Sequence, residues 1–130
     1  MTKQQLEQIY YTAKELRMWE RKLEEFKARS PVSSPRPRSG SGSGISDPTY
    51  RKTAAQISLE EKIREFREKL QAERDEAVQF VMTIPDSVTR MIVFYRCVSL
   101  MSWRKVAYEI GGGNTEDSVR KVYERFCAKL

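Results

Sequence analysis

The 130-residue chain predicts an all-α fold: a long antiparallel helical hairpin or coiled coil, followed by a three-helix helix-turn-helix domain. Three observations carry that prediction. Residues 3–29 and 49–84 hold no glycine or proline, and apolar residues recur through both in steps of three and four, the spacing of a helix with one buried stripe. Residues 30–47, SPVSSPRPRSGSGSGISD, are too rich in Pro, Gly and Ser to continue a helix or to bury anything, and read as a flexible linker. Residues 102–129 form two short amphipathic segments around three glycines. The organisation expected is a hairpin over residues 1–85, with its linker at 30–47, and a reader domain over residues 86–130.

In the first long helix Ile9, Leu16 and Leu23 repeat every seven residues, with Trp19 and Phe26 three residues after the last two and Thr12 in the equivalent place after Ile9. The second opens at Asp47-Pro48, a helix start with proline in the first turn, and runs from Thr49 to about Met82. Its stripe is Leu59, Ile63, Phe66, Leu70, Ala77, Phe80 and Ile84, broken only by Glu73. A flexible linker of about 18 residues spans roughly 23 Å, and the first helix is about 40 Å long. An antiparallel return asks only for the gap of about 10 Å between neighbouring axes, so the hairpin is favoured. An intermolecular coiled coil is the alternative, and paired hairpins would satisfy both.

Ile84-Pro85-Asp86 breaks the second helix, and Asp86 or Ser87 caps the next. Val88, Met91, Ile92, Tyr95 and Val98 form the expected buried face of this supporting helix, with Phe94 adding width and Arg90 and Arg96 outward. Ser102 caps the following helix, whose apolar face is Trp103, Val106, Ala107 and Ile110. Gly111, Gly112 and Gly113 stop it, because glycine alone adopts positive φ at no cost. Asn114 and Thr115 then cap a last helix, with Glu116 and Asp117 at the positive end of its dipole. That helix turns Val119, Val122, Phe126 and Leu130 inward; its far side carries Asp117, Lys121, Glu124 and Ala128.

Composition narrows the function. The net charge is +6, and residues 86–130 hold +3 of it while residues 48–85 are neutral, which suits a polyanionic partner at the carboxy-terminal end. There is no histidine, and Cys97 and Cys127 cannot complete a four-ligand zinc site alone, so neither cofactor nor metal is expected. No nucleophile and base pair is evident, and an enzyme is not the reading. Both cysteines read as reduced thiols packed as small apolar groups. No apolar run approaches the roughly 20 residues of a membrane helix, so no membrane partner is expected and the location anticipated is the cytoplasm.

Two short amphipathic helices around a Gly turn make the helix-turn-helix arrangement, in which the second enters the major groove; a plain helical hairpin is the bland alternative, and the charge on the outward face favours a DNA reader. Residues 115–129 are the expected recognition helix. Asn114, Thr115, Ser118 and Lys121 are placed near base edges, and Arg104, Lys105, Arg120 and Arg125 on phosphates. Asp117 can accept from cytosine N4 or simply complement the dipole. The partner is then double-stranded DNA, bound by a homodimer that covers the apolar surface a lone hairpin leaves wet. The alternative is an interaction adaptor, in which the charge-neutral, apolar second helix binds RNA polymerase or another protein and DNA affinity is slight.

Residues 86–130 resemble the carboxy-terminal DNA-binding domain of sigma factors, region 4 of the sigma-70 type. The chain as a whole is similar to small phage-encoded regulators related to the ArpU and RinA late-gene activators. The residues that carry this likeness are Tyr10-Tyr11, Met18-Trp19-Glu20-Arg21, the stretch GSGISDPT at 42–49, and SWRKVAYEIGGGNTEDSVRKVYERF at 102–126. The sigma pattern of Ser, an apolar-Ala pair, a Gly turn, then Ser or Thr and a Val one turn later is met by Ser102, Val106-Ala107, Gly113, Thr115 and Val119. Arg120 and Arg125 fall where that pattern often has basic residues. Gly111-Gly112 lengthen the turn by two, Lys105 replaces a common acidic residue, and Leu100-Met101 stand where a glycine is usual. The resemblance implies a transcriptional regulator of phage or prophage genes.

Overall fold

The computed structural model describes residues 1–29 and 52–130, and the linker expected at 30–47 lies outside them. The fold is all-α, with no strand among the described residues: α1 (Lys3–Ala28), α2 (Ala54–Val81), α3 (Ser87–Val93) running into a π-helical turn (Phe94–Val98), α4 (Trp103–Ile110) and α5 (Glu116–Ala128). No described helix is long and apolar enough to cross a membrane.

The start of α1 is capped reciprocally. Thr2 Oγ1 accepts from the Gln5 N–H at 3.1 Å, and the Thr2 N–H donates to Gln5 Oε1 at 2.8 Å, so two of the helix's orphan donors are satisfied. The described residues ahead of α2, Lys52 and Thr53, are not helical. The helix begins at Ala54, later than the expected Thr49, because Thr53 Oγ1 accepts from the Gln56 N–H at 3.1 Å and acts as the cap.

Two compact units result: Met1–Lys14 with Glu68–Leu130, and Glu15–Arg67. Each contains one half of α1 and one half of α2. This grouping cuts across both long helices, whereas a boundary after Pro85 follows the punctuation of the chain. In the unit Glu15–Arg67 only Leu16, Gln56 and Ile63 are fully buried among the described residues; Trp19, Leu23, Phe26, Leu59 and Phe66 stay half-buried. Glu20 and Arg67 join the two helices of this unit by an ion pair at 2.9 Å.

The other unit holds the larger core. Leu6, Ile9 and Thr12 of α1, Leu70, Ala77 and Val81 of α2, and Ile84 are buried there with Ile92, Val93, Cys97, Val106, Ala107, Val119, Tyr123 and Cys127. Phe80 of α2 meets Phe126 of α5 with ring centres 6.1 Å apart, and Trp103 of α4 meets Tyr123 at 5.3 Å. Asp86 caps α3 by accepting from both the backbone N–H (2.9 Å) and the hydroxyl (2.7 Å) of Thr89, and these bonds hold its carboxyl below the usual range.

Three expectations are corrected here. Val88 and Met91 are exposed and Tyr95 and Val98 half-buried; Ile92 is buried as expected, and Val93 and Cys97 join it in the core in their place. Apolar residues fill eight of the twelve positions from 87 to 98 and lie on more than one side, so periodicity did not single out the face that packing chose. Likewise α5 buries Val119, Tyr123 and Cys127, and Leu130 is exposed. Arg90 and Arg96 do not project freely. Arg90 Nη1 donates to the Ile84 carbonyl at 2.6 Å, at the break after α2, and Arg96 Nη1 donates to the Met101 carbonyl at 3.0 Å while its guanidinium lies 4.4 Å from the centre of the Trp103 ring.

Candidate nucleic-acid interface

The segment that leads into α4 carries backbone strain. Leu100 has φ +56°, a left-handed conformation that a side chain with a Cβ adopts at a cost, and it stands where the sigma pattern usually has glycine. Ser102 then caps α4, its Oγ accepting from the Lys105 N–H at 3.2 Å. Arg104 and Lys105 follow in the first turn, both exposed. Val106 and Ala107 are buried, and Tyr108 stands 82% exposed on the outer side.

Gly111, Gly112 and Gly113 all have positive φ, at 68°, 62° and 80°. A Cβ built on Gly113 would meet nothing within 4 Å, so conformation rather than crowding calls for glycine there. The turn delivers the chain to a closed set of hydrogen bonds. Asn114 Nδ2 donates to the Gly111 carbonyl at 2.8 Å, Thr115 Oγ1 accepts from the Ser118 N–H at 3.1 Å, and the Thr115 N–H donates to Ser118 Oγ at 2.9 Å. The Ser118 hydroxyl faces Asn114 Oδ1 (3.1 Å) and the Thr115 carbonyl (3.0 Å). Three of the four residues expected near base edges are thereby brought together as the cap that positions α5. Each hydroxyl has one proton to give, and that of Ser118 is directed at these acceptors while that of Thr115 remains.

Lys121, the fourth, lies one turn further on beside Arg120. Both reach back to Asp117: Lys121 Nζ is 3.1 Å from Oδ2 and Arg120 Nη2 is 3.1 Å from Oδ1. The Lys121 ammonium first, and the Arg120 guanidinium next, hold the Asp117 carboxyl below its usual range. No ion pair joins Arg104, Lys105 or Arg125 to another described residue. The phosphate candidates therefore divide into Arg104, Lys105 and Arg125, which are open, and Arg120, which is held. Asp117 is the residue whose part sequence reasoning missed, and its signal was present: a carboxylate three and four residues ahead of Arg120 and Lys121 is the spacing of helix ion pairs.

Within the same unit a cleft of about 330 Å³ is lined by Lys3, Glu7, Tyr10 and Tyr11 of α1, by Arg96 and Leu100, and by Trp103, Arg120 and Tyr123. Cys97 also lines it, and its thiol lies 3.7 Å from the Tyr123 hydroxyl. Burial pushes that thiol up to about 11, and burial likewise raises Cys127 and Tyr123. Both cysteines are free and buried, in keeping with packing rather than reactive chemistry. None of the family models, curated proteins or solved structures compared with the chain matches it.

Proposed function

We propose that the chain is a sequence-specific DNA-binding transcriptional regulator of phage or prophage genes, with residues 115–129 lying in the major groove. The observation that carries this reading is the α4–turn–α5 pair itself. A short helix with a tightly capped start and an exposed Lys121 is presented by a three-glycine turn, and Arg104, Lys105 and Arg125 stand open around it. Lys121 reads base edges, assisted by the remaining Thr115 proton; Asn114 and Ser118 hold the helix start in place. Arg104, Lys105, Arg120 and Arg125 contact phosphate. The regulator acts as a homodimer, since the half-buried Trp19, Leu23, Phe26, Leu59 and Phe66 ask for a second copy, and two readers related by symmetry call for a palindromic site.

Fluorescence anisotropy on duplexes selected from a random pool tests this. Lys121→Ala should relax base preference at one position, at a cost of about 1–3 kcal/mol on the selected site. Arg104→Ala should weaken all sequences alike and lower the salt slope by roughly 0.9.

The same half-buried stripe supports a second reading, an adaptor that binds RNA polymerase or another protein through the long helices. Salt-independent or undetectable DNA binding, with polymerase capture intact, would favour it.

A further inference from the structure

The geometry points to Asp117 as an internal counter-ion of the reader helix: it occupies Arg120 and Lys121 in the free protein and yields them to the nucleic-acid backbone and bases on binding, so that it sets the affinity for non-specific DNA. This rests on the reading of α5 as the DNA-contacting helix. Each carboxylate oxygen serves a different cation, Oδ1 that of Arg120 and Oδ2 that of Lys121, both at 3.1 Å. The three side chains are 59%, 49% and 60% exposed, in the order Asp117, Arg120, Lys121, so the pairs form in water and exchange without breaking a buried interaction.

The start of α5 has no need of this carboxylate. Thr115 and Ser118 already supply a complete capping box, and Glu116 already places a negative charge in the first turn. What Asp117 does instead is leave the triad one net positive charge where Arg120 and Lys121 alone would present two. On an arbitrary duplex that lost charge is uncompensated. On the selected site Lys121 gains base acceptors that offset the loss, so Asp117 penalises wrong sequences more than the right one.

The experiment is an anisotropy titration of the full chain against a random-sequence duplex and against the selected site, between about 50 and 200 mM salt. Asp117→Asn should bind the random duplex about three- to tenfold more tightly at the lower salt, with a slope steeper by roughly 0.9, and should gain less on the selected site. Asp117→Glu, which keeps the charge, should behave as the parent protein. In an Arg120→Gln/Lys121→Gln background the gain from Asp117→Asn should vanish. A gain that persists there would be plain repulsion of phosphate and would overturn the counter-ion role. Asp117→Ser supplies a second neutral variant should the asparagine protein fail to fold. If the parent binds DNA and the neutral variants bind it equally, with the same slope, the counter-ion role alone fails. If neither binds, the DNA reading fails with it.

Discussion

The two halves of α1 share one apolar stripe, yet they are buried very differently. Leu6, Ile9 and Thr12, in the half grouped with Glu68–Leu130, are 1%, 0% and 1% exposed, whereas Trp19, Leu23 and Phe26, in the half grouped with the start of α2, are only half-buried. The heptad spacing is the same in both. What differs is how many elements are available to cover it: the second half shares its unit with one described helix, and the first half shares its unit with α3, the π turn, α4 and α5 as well as α2. A stripe therefore says which side of a helix is apolar, and the surrounding elements decide how much of that side leaves water.

The sharpest way to test this contrast is to truncate one residue in each half. Ile9→Ala should destabilise the protein by about 2–5 kcal/mol in urea denaturation, the range for a fully buried aliphatic side chain. Leu23→Ala should cost about 1 kcal/mol or less in the monomer while weakening self-association measured by sedimentation. Equal losses at the two positions would break the comparison.

A pH titration separates the halves next, because the buried thiol lies in the better-covered unit. Cys97 keeps its proton in the folded chain up to about 11, above its ordinary value of 9.0. The unfolded chain thus releases its proton first, and stability that is complete below pH 9 should fall by about 2 kcal/mol as the pH approaches 11. Cys97→Ala should flatten the alkaline limb of a denaturation series. A limb unchanged by the substitution would assign it to other groups.

Smaller effects follow at the turn and on the surface. Gly113→Ala should cost about 1–2 kcal/mol in thermal or urea melts, from positive φ alone, since no neighbour crowds the position. Arg67→Ala removes a pair whose side chains are 62% and 39% exposed, and should change stability by no more than about 0.5 kcal/mol, vanishing at high salt.

Apolar periodicity marks the buried face of a helix where the opposite face is polar, and not where apolar residues spread to both. In α2 the stripe from Leu59 to Ile84 is the one that is buried or half-buried, Glu73 included, because charged residues fill the opposite side and leave a single choice. In α3 and its π turn eight of the twelve positions are apolar, and although Ile92 was legible, the burial of Val93 and Cys97 in place of Val88 and Met91 was settled by neighbours that the local pattern does not contain. In α5 the outer residues Asp117, Lys121, Glu124 and Ala128 are exposed as spacing predicts, while Tyr123 and Cys127 take the core from Leu130. The interface residues were legible as a set; their division into a cap, a held pair and open cations was not, because hydrogen-bond direction depends on the angle at which a turn delivers the chain.

By itself the sequence determined the helical class, the residues that cap α3, α4 and α5, and the glycine turn between the last two helices, since each rests on local chemistry: backbone freedom, cap acceptors and the period of the helix. Tertiary structure alone decided that Met1–Lys14 join the unit that holds α3, α4 and α5, that Arg90 and Arg96 turn to backbone carbonyls, and which apolar residues of α3 and α5 are covered. Those outcomes depend on partners distant along the chain, and burial follows the partners an element finds.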